Sequence, residues 1–137
     1  MDPVTEILYT DDIKRRESEV QERSATQVLA ARMLDSFGLS PNDADVAKVA
    51  PLLHWSLGIG CGALAGALSR KNGVRSSFAV AAGMFAFDEF GLTLLGAAPS
   101  STRYPWQTTL RSMIGHAAYG LGLAMTYEAL RALAKEA

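Results

Sequence analysis

Between Val49 and Ser69 run 21 consecutive residues without an ionised side chain, about the number a helix needs to cross roughly 30 Å of hydrocarbon. A helix of a soluble bundle shows a polar face at period 3.6, yet Leu52 to Leu68 offers only His54, Ser56 and Cys61 to build one. The run therefore predicts a first membrane span over residues 51–69. It opens with Pro51, whose missing N–H costs nothing in a first helical turn, and stops at Arg70-Lys71-Asn72-Gly73. A second apolar segment, residues 76–96, is interrupted only by the adjacent acids Asp88 and Glu89. The third, residues 106–130, places Arg111 and Glu128 near the interfaces, where long side chains reach water. The predicted fold is all-α: a transmembrane helical bundle of three spans behind an extramembrane helical segment, residues 1–50.

Charge and glycine divide the chain at the same place. Residues 1–50 hold 16 of the 27 charged side chains and only one of the 12 glycines, Gly38. Glycine costs about 1 kcal/mol relative to alanine in a soluble helix, whereas transmembrane helices tolerate it and pack through it. A mean hydropathy of only +0.11 keeps a soluble helical bundle as the competing fold. A net charge of −1 supplies no basic field for nucleic acid, and the single cysteine, Cys61, excludes a disulfide framework and a cysteine-rich zinc site.

Gly58, Gly62 and Gly66 recur every fourth residue, and Ala63 and Ala67 widen the stripe. Gly83 and Gly91 repeat the device in the second span, and Gly115, Ala118 and Gly122 in the third. Such stripes admit a neighbouring backbone, and close approach supplies much of the association energy in lipid. Packing within the chain is expected ahead of a homodimer contact, since the spans need one another.

In the N-terminal segment, Ser24-Ala25-Thr26-Gln27 has the form of a capping box, and Gly38 ends the helix it starts. Ser40-Pro41-Asn42-Asp43 predicts the next start, with a cap, a proline in the first turn and acids at the positive end of the dipole. The charged run from Asp11 to Arg23 reads as a solvated helix face. Asp2 and Glu6 stand where a signal peptide would be basic, so no secretory signal or transit peptide is expected. Arg70, Lys71, Arg75, Arg131 and Lys135 outnumber Lys48, Arg103 and Arg111 near the span ends. This places the first loop and the C-terminus in the cytoplasm and residues 1–50 outside.

The polar residues inside the spans are His54, Asp88, Glu89, His116 and Glu128, and the first four fall in the outer half. An ionised carboxylate there costs about 2.5 to 3.5 kcal/mol on insertion scales, so at least one acid should face the interior and either pair with a histidine or take a raised pKa and stay protonated. Adjacent helical residues point about 100° apart, so only one of Asp88 and Glu89 can share a given partner.

Pro51-Leu52-Leu53-His54-Trp55 opens a glycine-rich span, Phe87-Asp88-Glu89-Phe90 lies in the next, and Tyr104-Pro105-Trp106 lies in the loop. Gly115-His116-Ala117-Ala118-Tyr119-Gly120 and Glu128-Ala129-Leu130-Arg131 complete the set. In order and spacing, over residues 20–131, this resembles the YagU-like family of small bacterial inner-membrane proteins of unassigned function. The resemblance implies an inner-membrane location and a fourth hydrophobic helix ahead of Asp2 to Tyr9. Met1 is then expected to be an internal methionine of a longer product, or the span to be lost in this copy.

The expected role is a small structural or accessory subunit of a membrane complex or homo-oligomer in the lipid bilayer, with the polar set fixing helix rotation. A transporter using the same residues as a proton or ion relay is the alternative. A metal or haem held by His54 and His116 comes third. No serine elbow, HExxH or phosphate loop accompanies them, so catalysis has the least support and no cofactor is assigned.

Overall fold

A computed structural model describes residues 8–68 and 72–136. Every regular element among them is helical. Helix α1 covers Asp11–Val20, α2 Ala25–Ser36 and α3 Asp43–Leu68. Helix α4 covers Gly73–Leu94, a 3-10 turn covers Ser101–Arg103, and α5 covers Trp106–Glu136. Arg70 and Lys71, the predicted stop of the first span, lie outside the described residues, as do Asp2 and Glu6.

Local chemistry sets the early boundaries. The Thr10 hydroxyl accepts from the Ile13 amide, 3.3 Å, with Asp11 and Asp12 in the positive first turn of α1. Ser24 and Gln27 form the capping box the sequence predicts, and Gly38, at φ 74°, takes the left-handed conformation that ends α2. The start of α3 differs from expectation. Asn42 caps it: its side chain accepts from the Asp45 amide at 3.0 Å, and Pro41 precedes the cap instead of opening the first turn. Asn42 wins because its short amide reaches that amide hydrogen.

The boundary expected between residues 50 and 51 falls inside α3, which runs unbroken from Asp43 to Leu68 with Pro51 in its interior. Proline removes one intrahelical hydrogen bond, and the apolar packing of Val46 and Ala50 against Ala30 of α2 holds the turn before it. The second span also starts earlier than expected. Asn72 and Gly73, expected as the end of one helix, cap and begin the next, with the Asn72 side chain accepting from the Arg75 amide at 3.1 Å.

The closest packing joins α4 to α5 through residues without bulk. A Cβ built on Gly73 would lie 1.9 Å from the Tyr127 ring, and one on Gly120 would lie 2.9 Å from the Ala81 methyl. Ser77, buried between them, turns its hydroxyl back to the Gly73 carbonyl at 2.8 Å. Of the glycine stripe on α3, Gly62 alone would set a Cβ against a neighbouring helix, at Tyr119 and Leu123, while the Gly58 carbonyl accepts from the Tyr119 hydroxyl at 2.5 Å. A Cβ added to Gly58, Gly66, Gly83, Gly115 or Gly122 would meet nothing within 4 Å, and Gly91 is covered by the ring of Phe87 from its own helix. Helix rotation explains the difference. The inward face of α5 follows His116, Gly120, Leu123, Ala124 and Tyr127, and Gly115 and Gly122 lie beside it.

The large apolar side chains point outward. Ile59 is 71% exposed, Trp55 70%, Phe90 68% and Leu94 88%. Two helices, α3 and α4, are long and apolar enough to cross a membrane, and only 11% of each apolar stretch is buried within the chain. Helix α5 is longer but falls short on hydropathy: Arg111, His116, Glu128, Arg131 and Lys135 interrupt it.

Candidate functional site: a capped cavity over a π-turn

Helix α4 changes its winding at Phe87–Gly91, one turn of π-helix closed by the Leu92 amide on the Phe87 carbonyl. A π-turn inserts one residue into the α-helical register and re-aims the side chains it carries, and such turns recur at functional sites. Here it carries Asp88 and Glu89. Both line a cavity of about 490 Å³ between the end of the bundle and the segment α1–α2.

Asp88 faces His116 of α5, with Oδ2 3.7 Å from Nε2. The ring is oriented from its other side, where Nδ1 donates to the Ser112 carbonyl at 2.8 Å, and Phe85 meets it edge-on at a centroid distance of 5.9 Å. A carbonyl oxygen can only accept, so Nδ1 carries the proton and Nε2 is the atom presented to the carboxylate. Glu89 shares the cavity and forms no ion pair among the described residues. The Ser112 hydroxyl, also at the cavity wall, is buried without a hydrogen-bond partner.

His54 and Glu128 stand apart. His54 lines a second hollow of about 310 Å³ with Ser24, Gln27 and Pro51, and its ring lies edge-on to Trp55 at 6.4 Å. Glu128 is exposed and forms no ion pair among the described residues. The predicted set of five polar residues therefore divides into one pair, Asp88 with His116, one neighbour, Glu89, and two separate positions. No group of three His, Cys, Asp or Glu side chains among the described residues is placed to hold a metal.

The cavity roof is clasped by residues to which the sequence alone assigns no site role. Glu17 pairs with Arg111, both side chains 21% exposed, and also accepts from the Thr108 hydroxyl. Arg111 donates to the Leu8 carbonyl and stacks on the Tyr9 ring, 4.5 Å from its centroid. Gln21 donates to the Ala97 carbonyl at 2.9 Å and accepts from the Tyr104 hydroxyl. Arg32 donates to the carbonyls of Leu95 and Gly96, capping the open C-terminus of α4. Burial, with the Glu17 carboxylate second, raises the Tyr104 hydroxyl above its ordinary value of 10.0, and Arg103 partly offsets this. The spacing of Ile13, Glu17, Val20 and Gln21 puts them on one face of α1. That periodicity is the signal by which the clasp could be found, and it is masked because two of the four are polar. The other face is solvated as expected, with Lys14, Arg15 and Arg16 paired to acids along the helix.

Compared with known proteins, the chain matches no family model, no curated protein and no solved structure. The fold and site define a helical bundle with an outward apolar surface and a polar cap bordering an open hollow that Asp88 and Glu89 line.

Proposed function

We propose that the chain is an integral membrane protein of three spans acting as a small structural or accessory subunit of a larger membrane assembly. The observation that carries this reading is the inverted surface. Exposed apolar side chains surround the bundle, and glycines on three helices, Gly66, Gly83, Gly115 and Gly122, present uncovered backbone on its sides. Uncovered glycine backbone suits another transmembrane helix better than lipid alone. Helix α5 completes the third span, with its ionised residues toward its two ends and its inner face on α4. The YagU-like resemblance implies the bacterial inner membrane, and the excess of basic residues in the first loop and C-terminal tail puts the capped end outside and the C-terminus in the cytoplasm.

Two measurements test this. Expressed in bacteria, the chain should remain in the pellet after alkaline carbonate extraction, and release as a soluble monomer would end the membrane reading. Purified in mild detergent from its native membrane, it should migrate with other polypeptides. A stable homo-oligomer free of them would favour the second reading, a proton- or ion-handling transporter. The specific observation behind that reading is the π-turn, which puts Asp88 and Glu89 at an accessible cavity with His116 beside them.

A further inference from the structure

We infer that His116 is a pH switch that clamps α5 to the π-turn of α4 when its ring takes up a second proton. The ring faces a hydrogen-bond acceptor on each side: the Ser112 carbonyl lies 2.8 Å from Nδ1, and the Asp88 carboxylate brings Oδ2 to 3.7 Å from Nε2. A neutral imidazole has one N–H and can serve one of them, whereas an imidazolium donates to both. With Nδ1–H on the carbonyl, the neutral ring turns a lone pair toward an anion, and the two stand just beyond hydrogen-bonding range. A proton on Nε2 replaces these facing acceptors by a charge-assisted bond between the helices, and the closure it needs is only about 1 Å.

The surroundings let protons reach the pair without competing for it. The Asp88 side chain is 45% exposed on the wall of the open hollow, while the ring is 18% exposed and meets the uncharged Phe85 edge-on. On α4 itself, Glu89 adds to the negative field at Asp88, and His54 of α3 acts on Asp88 at longer range. On α5, Arg111 precedes His116 by five residues, and Glu17 of α1 meets its charge. Lys14 and Arg23, also in the wall of the hollow, are paired to Asp11 and Asp43. Histidine is the side chain whose ordinary charge change falls between about pH 5 and 8, so the clamp is made toward the acid end and released toward the alkaline end. On the proposed orientation the hollow opens to the external medium, and the switch reads its pH. The inference goes beyond both functional readings, since a clamp of this kind can set the shape of a subunit or gate a relay.

The test joins two measurements on the full chain in lipid nanodiscs. The chain has two histidines, so nitrogen NMR of the His54→Gln variant, labelled at histidine, reports the His116 ring alone. Both ring nitrogens should carry protons at about pH 5, and Nδ1 alone at about pH 8.5. Should that variant fail to fold, the wild-type spectrum with its two rings serves. Amide-exchange protection over residues 87–92, taken as the ratio of wild type to His116→Gln at the same pH, should be about threefold higher at the acid end, the size of an average hydrogen bond between membrane helices. In Asp88→Asn this pH dependence should vanish while the ring still titrates. A lone proton on Nε2 at alkaline pH, protection indifferent to pH, or a pH dependence that survives Asp88→Asn would each overturn the switch. The same measurements run unchanged in buffer on a chain that leaves the membrane fraction, so failure of the membrane reading and failure of the switch are separate results.

Discussion

The cap and the bundle of this chain are held together by opposite means. Around α1 and α2 the cohesion across the chain is directional: Glu17 on Arg111, Gln21 on Ala97, Arg32 on Leu95 and Gly96, each crossing to the segment 95–111. Between α4 and α5 it is steric, with Gly73 beneath the Tyr127 ring and Gly120 against Ala81. Water weakens the first kind of contact by competition, so the exposed pairs along α1 contribute little and the half-buried Glu17–Arg111 pair at the junction carries the directional cohesion. Lipid offers helices little hydrophobic reason to associate, so the bundle removes side chains until backbones nearly touch. On the proposed membrane reading the two regions face different solvents, and each uses the interaction its solvent leaves strong.

That contrast can be broken most severely at the steric side. Gly73→Leu forces a side chain into the Tyr127 ring and should destabilise the bundle by about 3 kcal/mol, the upper end for overpacking. Gly120→Leu should act similarly, and Gly62→Leu less, because its nearest neighbours are flexible side-chain ends at 3.3 and 3.4 Å. Gly58→Ala should be neutral or stabilising. Detergent melting of the four variants ranks them, and equal effects at Gly73 and Gly58 would contradict the packing described.

On the directional side, Arg111→Met leaves the Leu8 carbonyl without its donor and the Glu17 carboxylate with the Thr108 hydroxyl alone, and should cost about 1 to 3 kcal/mol. The loss should be local. Protease sensitivity and amide exchange should rise in α1 while the melting of α4 and α5 hardly moves, and collapse of both together would mean that cap and bundle form one cooperative unit.

The junction itself is tested by double-mutant cycles on stability. Asp88→Asn with His116→Gln should show coupling of about 0.5 kcal/mol, and Glu89→Gln with His116→Gln should be additive, because Asp88 is the acid that faces the imidazole. Reversal of the two results would place the π-turn in a different register.

The smallest effect concerns pH. The Tyr104 hydroxyl is raised in the folded chain relative to its ordinary 10.0, so its contribution is present in full below that value and is lost as pH rises through the folded value. Amide exchange in α1 should therefore increase above about pH 10, and Tyr104→Phe should remove that increment.

Much of this architecture is written in short-range signals. The capping box at Ser24 and the turn at Gly38 each depend on a few neighbouring residues and appear where expected, whereas the helix over the charge-free run after Val49 begins earlier, at Asp43. Helix rotation does not depend on neighbours in that way. Glycine spacing identifies stripes, but which stripe meets a partner is fixed by how α4 and α5 turn toward each other: the face that does so on α4 is Gly73, Ser77 and Ala81, which a search for repeated glycines passes over. The pairing of Asp88 or Glu89 with His116 is legible as a choice between adjacent acids. The π-turn that accompanies the outcome has no signature in composition. The clasp is least legible, because Glu17 and Arg111 lie 94 residues apart and each reads locally as an ordinary surface charge.

Helix α3, unbroken through Pro51, has a mechanical consequence. Its 26 residues make a rod of about 39 Å, some 9 Å more than the hydrocarbon it would cross, so α2 rides on a stiff extension of the membrane segment. A change of about 10° in the tilt of that rod, within the range seen when bilayer thickness varies, sweeps its far end sideways by about 7 Å. The clasp on segment 95–111 is anchored to other helices, and Arg32 ties α2 to it through the Leu95 and Gly96 carbonyls. Thickening or thinning of the bilayer would thus be converted into shear on that tie between α2 and the clasp, across the mouth of the cavity, with Pro51 as the most compliant point of the lever.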